Sequence, residues 1–563
     1  MAISGLFFEA NSIQSYILLG GRLRDVVGAS HLIDELCGST LDQALRVLGL
    51  KVGTDCSFVR RAAGAFYAIF DSNSPENETR AMQLAAAWSA TVRHLCPGLG
   101  FNLVLEQGNS VFECVRSGTG ALARSKAQPV LSFPIGNPFV ERSPRTGLPA
   151  VAEAKVGPNH ELVDAAVFAR RKVYGTQPGD NVGDRLLEKL RQSGEERSWR
   201  FPRNLEHEPS EDGGPGSDPA LFPFTAESRY LAVIHADANG LGQLLISLIS
   251  RAAELDKNGH ASVGQQYKEL LPKLSETIEN CMVGATVSAI ASVLLPASTS
   301  ATLPARPLVL AGDDLSILVR ADLALPFMRE VLQTFEQNSS VEIGRLATNP
   351  QFKDFADLLK QGLTACAGMV FVKNSHPFTQ ALHIAEGLCG DAKTEAKNPT
   401  RAGENSTPLQ AASAITFERL TESLQGQGER KLPRMKAWGV GAHSQGLPRL
   451  DKLMELTSVC ATIARGPLRR LLSTVEMSEA EAAQDCIRWR AIMQKTASGQ
   501  LKAIDDAMAD ILPGSVVHEN FRIGIVKKDP NDKSTDTSVL PDLIDLLAVG
   551  QPPAYVITEG EGA

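Results

Sequence analysis

The chain has 563 residues, 43% of them hydrophobic and 21% charged, enough for three or four compact units with a sizeable core, which excludes a lone small module and an intrinsically disordered chain. Its 56 basic and 64 acidic residues leave a formal charge of −8, which speaks against a surface given over to nonspecific nucleic-acid binding and leaves room for a local basic groove. Nine cysteines with no CxxC pair argue against a disulfide framework and a thiolate zinc knuckle, and a reducing cytoplasm fits them best.

The N-terminal MAISGLFFEANSIQ lacks the basic flank and small-residue cleavage site of a signal peptide. Within it GLFFEA reads as a short apolar strand, a helical stretch follows through Ile17, Leu23, Leu32, Ile33 and Leu36, and AGAFYAIFD reads as a turn entering a strand. These belong to a first unit over residues 1–135. Residues 136–225 read as a linking region that contains SPRTGLPA and the acidic stretch EHEPSEDGGPGSDP at 206–219, a flexible loop by composition.

A second unit, residues 226–420, opens with the apolar strand YLAVIHAD (230–237), and Leu241, Leu244, Leu245 and Leu248 then mark one face of a helix. The long uncharged run 281–305 is broken by Pro296 and Pro304, so no membrane segment is expected. RPLVLAGDDLSILVR predicts a hairpin with acids at its tip. A helix over about 323–337, the strand LTACAGMVFV and a helix over about 377–397 complete a β-α-β-β-α-β order, that of a ferredoxin-like or palm domain. Beyond residue 421 the spacing of Leu453, Leu456, Cys460 and Ile463 and the segments MSEAEAAQDCIRWRAIM and SVLPDLIDLL predict a helical C-terminal domain. The fold expected is α+β: two palms and a helical domain.

The chemistry is concentrated in Asp237 at a strand end and in Asp313 and Asp314 at the hairpin tip. Carboxylate oxygens are the ligands Mg²⁺ and Mn²⁺ prefer, and in a palm the first strand and the hairpin lie side by side, so the three can converge. Two metals about 4 Å apart would activate a ribose 3′-hydroxyl and stabilise departing pyrophosphate. Taken singly, Asp-Asp in a turn and Asp at a strand end are common as turn and N-cap residues; their joint occurrence in palm order favours the metal. Gly312 would let backbone approach a nucleotide, or serves the turn alone. Asn239, Gly240 and Gly242 would expose helix-start amides to phosphates, or merely cap a helix. Lys393 and Lys397 share a helix face and would reach a triphosphate, or form a solvated charged face. His235, on the apolar strand, reads as a satisfied core histidine and His376 as a helix-entry residue; HExxH, GxSxG and Walker A sequences are absent.

YLAVIHADANGLGQLL, LVLAGDDLSILV and HPFTQALHIAEGLCGDAKTEAK, in that order, resemble the second palm of the large subunit of type III CRISPR effector complexes, and FFEANSIQSYILLGGRLRDVVGASHLIDEL resembles its first palm. The resemblance covers residues 1 to about 420 and, more loosely, the C-terminus. It implies two facing palms, with ATP bound at the second and joined 3′ to 5′ into cyclic oligoadenylate with release of pyrophosphate. It implies metal binding by Asp237, Asp313 and Asp314, nucleotide contacts from Ala311, Gly312, Asn239 and Gly240, a phosphate-facing helix at Lys393 and Lys397, and RNA and effector subunits as partners. The sequence departs from the family in four ways: Ala311 replaces the first glycine of GGDD, Glu9 stands where Asp is frequent, AGAF (63–66) carries no acid pair, and no cysteine pair accompanies SPRTGLPA. The first palm is therefore expected to be a structural partner. The HD nuclease that precedes the first palm in the family has no counterpart in these residues, and DNA cleavage is not carried over. Two other readings stand beside the cyclase: a scaffold that positions RNA and protein subunits and keeps its acids as a relic, and a diguanylate-cyclase-like enzyme using GTP. Ala311 and the lack of Glu-Phe after the acids count against the second.

Overall fold

Two sheets of one strand order organise the chain. The computed structural model describes residues 3–19, 22–62, 64–71, 74–128, 139–156, 159–176, 181–205, 221–226, 228–260, 262–397, 411–420, 434–444, 446–477, 479–511, 516–517, 525–527 and 537–550; the acidic stretch 206–219 lies outside them. The first palm contains β1 (Ile3–Ala10), α1 (Ile13–Leu18), α2 (Leu23–Glu35), α3 (Leu41–Val47), β2 (Ser57–Ala62), β3 (Ala65–Phe70), α4 (Asn77–Leu95), β4 (Phe101–Gly108) and α5 (Val111–Lys126). The linking region forms a hairpin, β5 (Ala152–Val156) and β6 (Asn159–Val163), then α6 (Ala165–Thr176) and α7 (Asn181–Gln192).

The second palm contains β7 (Tyr230–Ala238), α8 (Leu241–Lys257), α9 (Val263–Ala289), β8 (Ala305–Ala311), β9 (Asp314–Arg320), α10 (Ala321–Thr348), β10 (Ala365–Lys373), α11 (Phe378–Ala396), β11 (Ser413–Arg419) and β12 (Trp438–Val440). Helices α12 (Leu450–Ala461), α13 (Arg465–Met477), α14 (Glu479–Thr496) and α15 (Ser498–Ala509) follow, then short strands β13 (Val516–Val517), β14 (Ile525–Lys527) and β15 (Thr537–Ser538), and α16 (Leu540–Val549).

The first sheet runs β2-β3-β1-β4 and the second β12-β11-β10-β7-β9-β8. Read from the other edge, the second begins β8-β9-β7-β10, the order of the first, and the expected α+β fold of two palms and a helical C-terminus is the one observed. Three expectations are corrected. The second sheet does not stop at residue 420, because β11 pairs parallel to β10 and then antiparallel to β12. Residues 136–225 are not linker throughout, since α6 and α7 present buried Ala166, Val167, Leu186 and Leu190 to the body. The helical C-terminus carries a three-stranded sheet, β13-β14-β15. Strands β2 and β4 also escaped the sequence: Arg60 and Arg61 interrupt the one, and the alternation of β4 is half-exposed throughout.

Burial explains why the palms dock. One apolar cluster joins Phe7 and Tyr67 of the first sheet to Ala232 and Ile234 of the second, with α9 and α10 between. Another joins Leu6, Phe8 and α2 to Leu231, Val233 and α11. At its centre Trp88 meets Phe8 and Phe66 edge-on at 5.5 and 5.3 Å, and each such side chain contributes about 1.5–3 kcal/mol by burial. Residues 263–294 are long and apolar enough by composition to cross a membrane, and 61% of their most apolar window is buried in this packing. The C-terminal α16 is fixed to the second sheet by ions: Arg419 Nε donates to Asp545 at 3.0 Å, and Arg434 Nε stands 3.2 Å from Asp542. All nine cysteines are free and buried, in keeping with the absence of a disulfide framework.

Candidate functional site

The apolar run of β7 is buried from Leu231 through Ile234 and ends in β-branched Val233 and Ile234, which suits a central strand between β9 and β10. In its register with β9, His235 lies opposite Ser316 and Ala236 opposite Leu315, so the next pair is Asp237 with Asp314. The hairpin closes Ala311 on Asp314, leaving Gly312 and Asp313 as its two-residue turn. Gly312 has φ +64°, the positive angle that tight hairpin turns take at their first position and that favours glycine. On the other side α11 crosses β10 closely: a Cβ on Gly368 would lie 2.0 Å from the Ala385 carbonyl oxygen. That approach brings Lys393 to the strand end.

The three acids converge. Asp313 shares a hydrogen bond with Asp237, and burial, with the Asp237 charge second, pushes its pKa up to about 7. Burial, then the charges of Asp237, Asp313 and Glu386, raise Asp314 well above the carboxylate range. Lys393 Nζ donates to Asp237 Oδ2 and, at 3.0 Å, to the Ala238 carbonyl; burial disfavours its charge, but Asp237 outweighs that and holds the ammonium above its usual pKa. Gln14, from α1 of the first palm, donates to Asp314 Oδ2 at 2.7 Å. Arg60 of the first palm is close enough to Asp313 for its charge to be felt. The acids thus sit at the face where the palms meet.

Other candidates stand differently. His235 is a largely buried, partnered histidine, as its strand suggested: Nδ1 lies 3.3 Å from Asp314 Oδ1 and 3.3 Å from Ser316 Oγ, and burial lowers its pKa against the pull of Asp237. Asn239 is corrected from a nucleotide contact to a brace, because its buried Nδ2 donates to Thr364 Oγ1 and the Ala412 carbonyl, both at 3.0 Å, and fastens the strand end to the sheet. Gly240 begins α8 at φ +79° and Ala311 is half-buried at the end of β8, both beside the acids in sequence. Lys397, exposed at the C-cap of α11, has no contact with the acids, unlike Lys393. Nothing in the sequence singled out Gln14, Arg60 or Glu386. The relation of Gln14 and Arg60 to the acids is set by how the palms dock, although Gln14 lies in the segment that resembles the family's first palm, whereas Glu386 comes from α11 of the second palm itself.

In donor chemistry the site fits a divalent cation: three carboxyl groups crowd together, Asp313 and Asp314 at the cost of their own ionisation, and Asp314 Oδ1 is buried with no hydrogen bond of its own. It is not a preformed cage, since among the described residues no three carboxylate, imidazole or thiol groups already stand in a metal-holding arrangement.

No protein-family model matches the chain, and no curated protein does. Solved structures of similar chain course are Csm1 chains. The Csm1–Csm4 cassette in complex with cA3 has a TM-score of 0.49 at 12% identity, over 98% of this chain and 70% of that one. The cassette in complex with one ATP scores 0.47 at 12%, over 99% and 70%, and Csm1 in T. onnurineus 0.48 at 13%, over 98% and 70%. Two further cassettes, one without ligand and one with cA4, are spanned over only 53% and 64% of their length. A likeness of this size concerns chain course and leaves the chemistry to be argued from this chain's own residues.

Proposed function

We propose that the chain is a metal-dependent nucleotidyltransferase that joins ATP 3′ to 5′ into a cyclic oligoadenylate signal in antiviral defence. The observation that carries this reading is the meeting of Asp237, Asp313 and Asp314 with Lys393 at the face between two palms. Asp237, Asp313 and Asp314 would hold Mg²⁺ or Mn²⁺, which when bound supplies the charge that eases 3′-hydroxyl ionisation and the departure of pyrophosphate. The work of the chain's own groups follows from their placement. Lys393 neutralises Asp237 in the resting site and turns to the triphosphate when nucleotide enters; Gly312 and Ala311 offer a low hairpin surface to the nucleotide; the first palm closes the face and excludes water. RNA and a partner subunit such as the Csm4 of the solved cassettes are the proposed activators, because an ungoverned synthase would be harmful.

The scaffold reading is favoured by the pairing of Lys393 with Asp237, which occupies one of the acids. One experiment separates the two. The purified chain, alone and with its genomic partners, is incubated with each nucleotide and Mg²⁺ or Mn²⁺, and products are read by mass spectrometry. Oligoadenylate from ATP that disappears in the Asp313→Asn, Asp314→Asn variant supports the synthase. A chain that binds neither ATP nor Mn²⁺ with partners present leaves the scaffold.

A further inference from the structure

The hydrogen bond from Gln14 Nε2 to Asp314 Oδ2, 2.7 Å across 300 residues of sequence, joins the first palm to an acid of the second. It treats the two oxygens of Asp314 unequally. Oδ2 is held by the Gln14 amide, whereas Oδ1 is buried with no hydrogen bond, although His235 Nδ1 stands 3.3 Å away. A carboxylate gripped by one oxygen cannot turn freely about its last torsion, so the other oxygen keeps a fixed direction.

The backbone that delivers Gln14 is unusual. Ser12, just before α1, has φ +47° and ψ +48° and is the one non-glycine residue at positive φ among the described residues. That conformation costs a side-chain-bearing residue free energy and persists only where the surroundings over-determine it. They do so here. Ala10 N donates to the Gly64 carbonyl and Asn11 N to the Gly100 carbonyl, both at 2.7 Å, and Asn102 Nδ2 donates to Asn11 Oδ1 at 2.8 Å. Ile13 lies so close over Gly64 that a Cβ there would meet its Cδ1 at 2.4 Å. Further along, Thr379 Oγ1 of α11 donates to the Leu18 carbonyl at 3.3 Å. A strained turn fixed on the first sheet thus aims a six-residue helix at the acids of the second.

We propose that Gln14 is a positioning residue of the second palm's site: lent by the first palm, it holds Asp314 by Oδ2 and keeps Oδ1 open, so the site is complete only when the palms are docked. The inference rests on the reading of the acids as a metal site. It adds that the first palm, bare of hairpin acids, supplies a polar group to the working one.

The test measures Mn²⁺ binding to the full chain by electron paramagnetic resonance and calorimetry, beside thermal melting, for wild type, Gln14→Met, Gln14→Ala and Asp314→Asn. Methionine keeps the length of the side chain and loses the donor, so it preserves packing where alanine leaves a gap. The expected result is Mn²⁺ affinity weaker by about tenfold in both Gln14 variants, as for one lost hydrogen bond to a charged group, an altered Mn²⁺ spectrum at saturation, and a Gln14→Met melting temperature equal to wild type. Wild-type Mn²⁺ affinity and spectrum in Gln14→Met, with binding abolished in Asp314→Asn, overturn the inference and leave the metal site standing. Wild-type binding in Asp314→Asn overturns both.

Discussion

In both palms the next-to-last residue of the first strand is an acid, Glu9 in β1 and Asp237 in β7. In both, the sixteenth residue of the helix that closes the repeat is a lysine that bonds it, Lys126 in α5 and Lys393 in α11. The palms part at the hairpin. Glu9 pairs in register with Ala65 of β3, and Gly64 precedes it, where the second palm has Asp314 and Asp313. Glu9 is instead surrounded by donors: Arg60 at 3.2 Å, Tyr67 and Lys126. Burial would raise its pKa, and those partners more than offset it. The comparison teaches that one scaffold holds either a closed charge balance or an open one. The first palm has satisfied its acid from within, while the second gathers three acids, pairs Asp237 with a lysine and favours the protonated forms of Asp313 and Asp314 until a cation is available.

The comparison breaks most plainly on activity. The variant with both Asp313→Asn and Asp314→Asn should lose ATP turnover by about a thousandfold or more, the scale of several kcal/mol of transition-state charge stabilisation, with its fold intact by circular dichroism. Glu9→Gln should change turnover by less than about tenfold, as befits a group whose partners are structural. Equal losses would mean that the first palm is no structural partner. The lysines divide in the same way at smaller scale. Lys393→Met should weaken ATP binding by about tenfold, whereas Lys126→Met, at a half-exposed ion pair, should leave it within about twofold, because pairs of that kind contribute little. Calorimetric titration with ATP checks both.

The pH dependence of stability should have opposite signs at the two sites. Folded Asp313 titrates at about 7 against 3.8 for the ordinary carboxyl. Below pH 3.8 both folded and unfolded states hold the proton; as pH rises towards 7 the unfolded chain ionises first and the fold loses roughly 1–4 kcal/mol. Asp313→Asn escapes that loss, so it should be more stable than wild type at about pH 8 and show no such gain at about pH 3.5. Glu9 titrates below its ordinary 4.5, so its contribution is present above that pH and fades as pH falls through the folded value. Glu9→Gln should therefore be less stable than wild type at about pH 8 and equal to it in strong acid. Urea melts across pH decide this, and a shift of the same sign in both variants would show that the two charge environments are alike.

How much of this was legible in the chain follows from what each feature depends on. The apolar runs of β7, β8, β9 and β10 are continuous because those strands are buried on both faces, and a run of that kind announces itself; β2, with two arginines, and β4, half-exposed, do not. The convergence of Asp237 with the hairpin acids followed from palm order, since adjacency within one sheet is a matter of topology. Gln14 and Arg60 were out of reach because their place depends on how two domains dock. His235 was legible as a satisfied core histidine, but its partners, Ser316 and Asp314 on β9, were not, because a strand's own pattern does not name its neighbour. Asn239 illustrates the reverse, a side chain in a motif whose amide is consumed by Thr364 and Ala412 from elements far along the chain.

The smallest effect concerns Ala311, which stands where the family that the motifs resemble has a glycine and has Ala62 as its counterpart in the first palm, each paired with the residue that follows the turn. If the hairpin surface carries the nucleotide, the methyl of Ala311 narrows the approach of the base or ribose, and the first palm, with no nucleotide to admit, has no use for a glycine there. Ala311→Gly should then lower the KM for ATP by a few-fold with kcat little changed, because a uniform gain in access affects the bound ground state and the transition state alike. Against this stands the cost of glycine in a strand, about 0.5–1 kcal/mol, together with the loss of a methyl that packs on the apolar cluster beneath. The melting temperature should therefore fall by a few degrees at most while binding improves. The matching Ala62→Gly change should show the stability loss alone. A KM for ATP that stays at the wild-type value in Ala311→Gly would place the nucleotide elsewhere on the second palm.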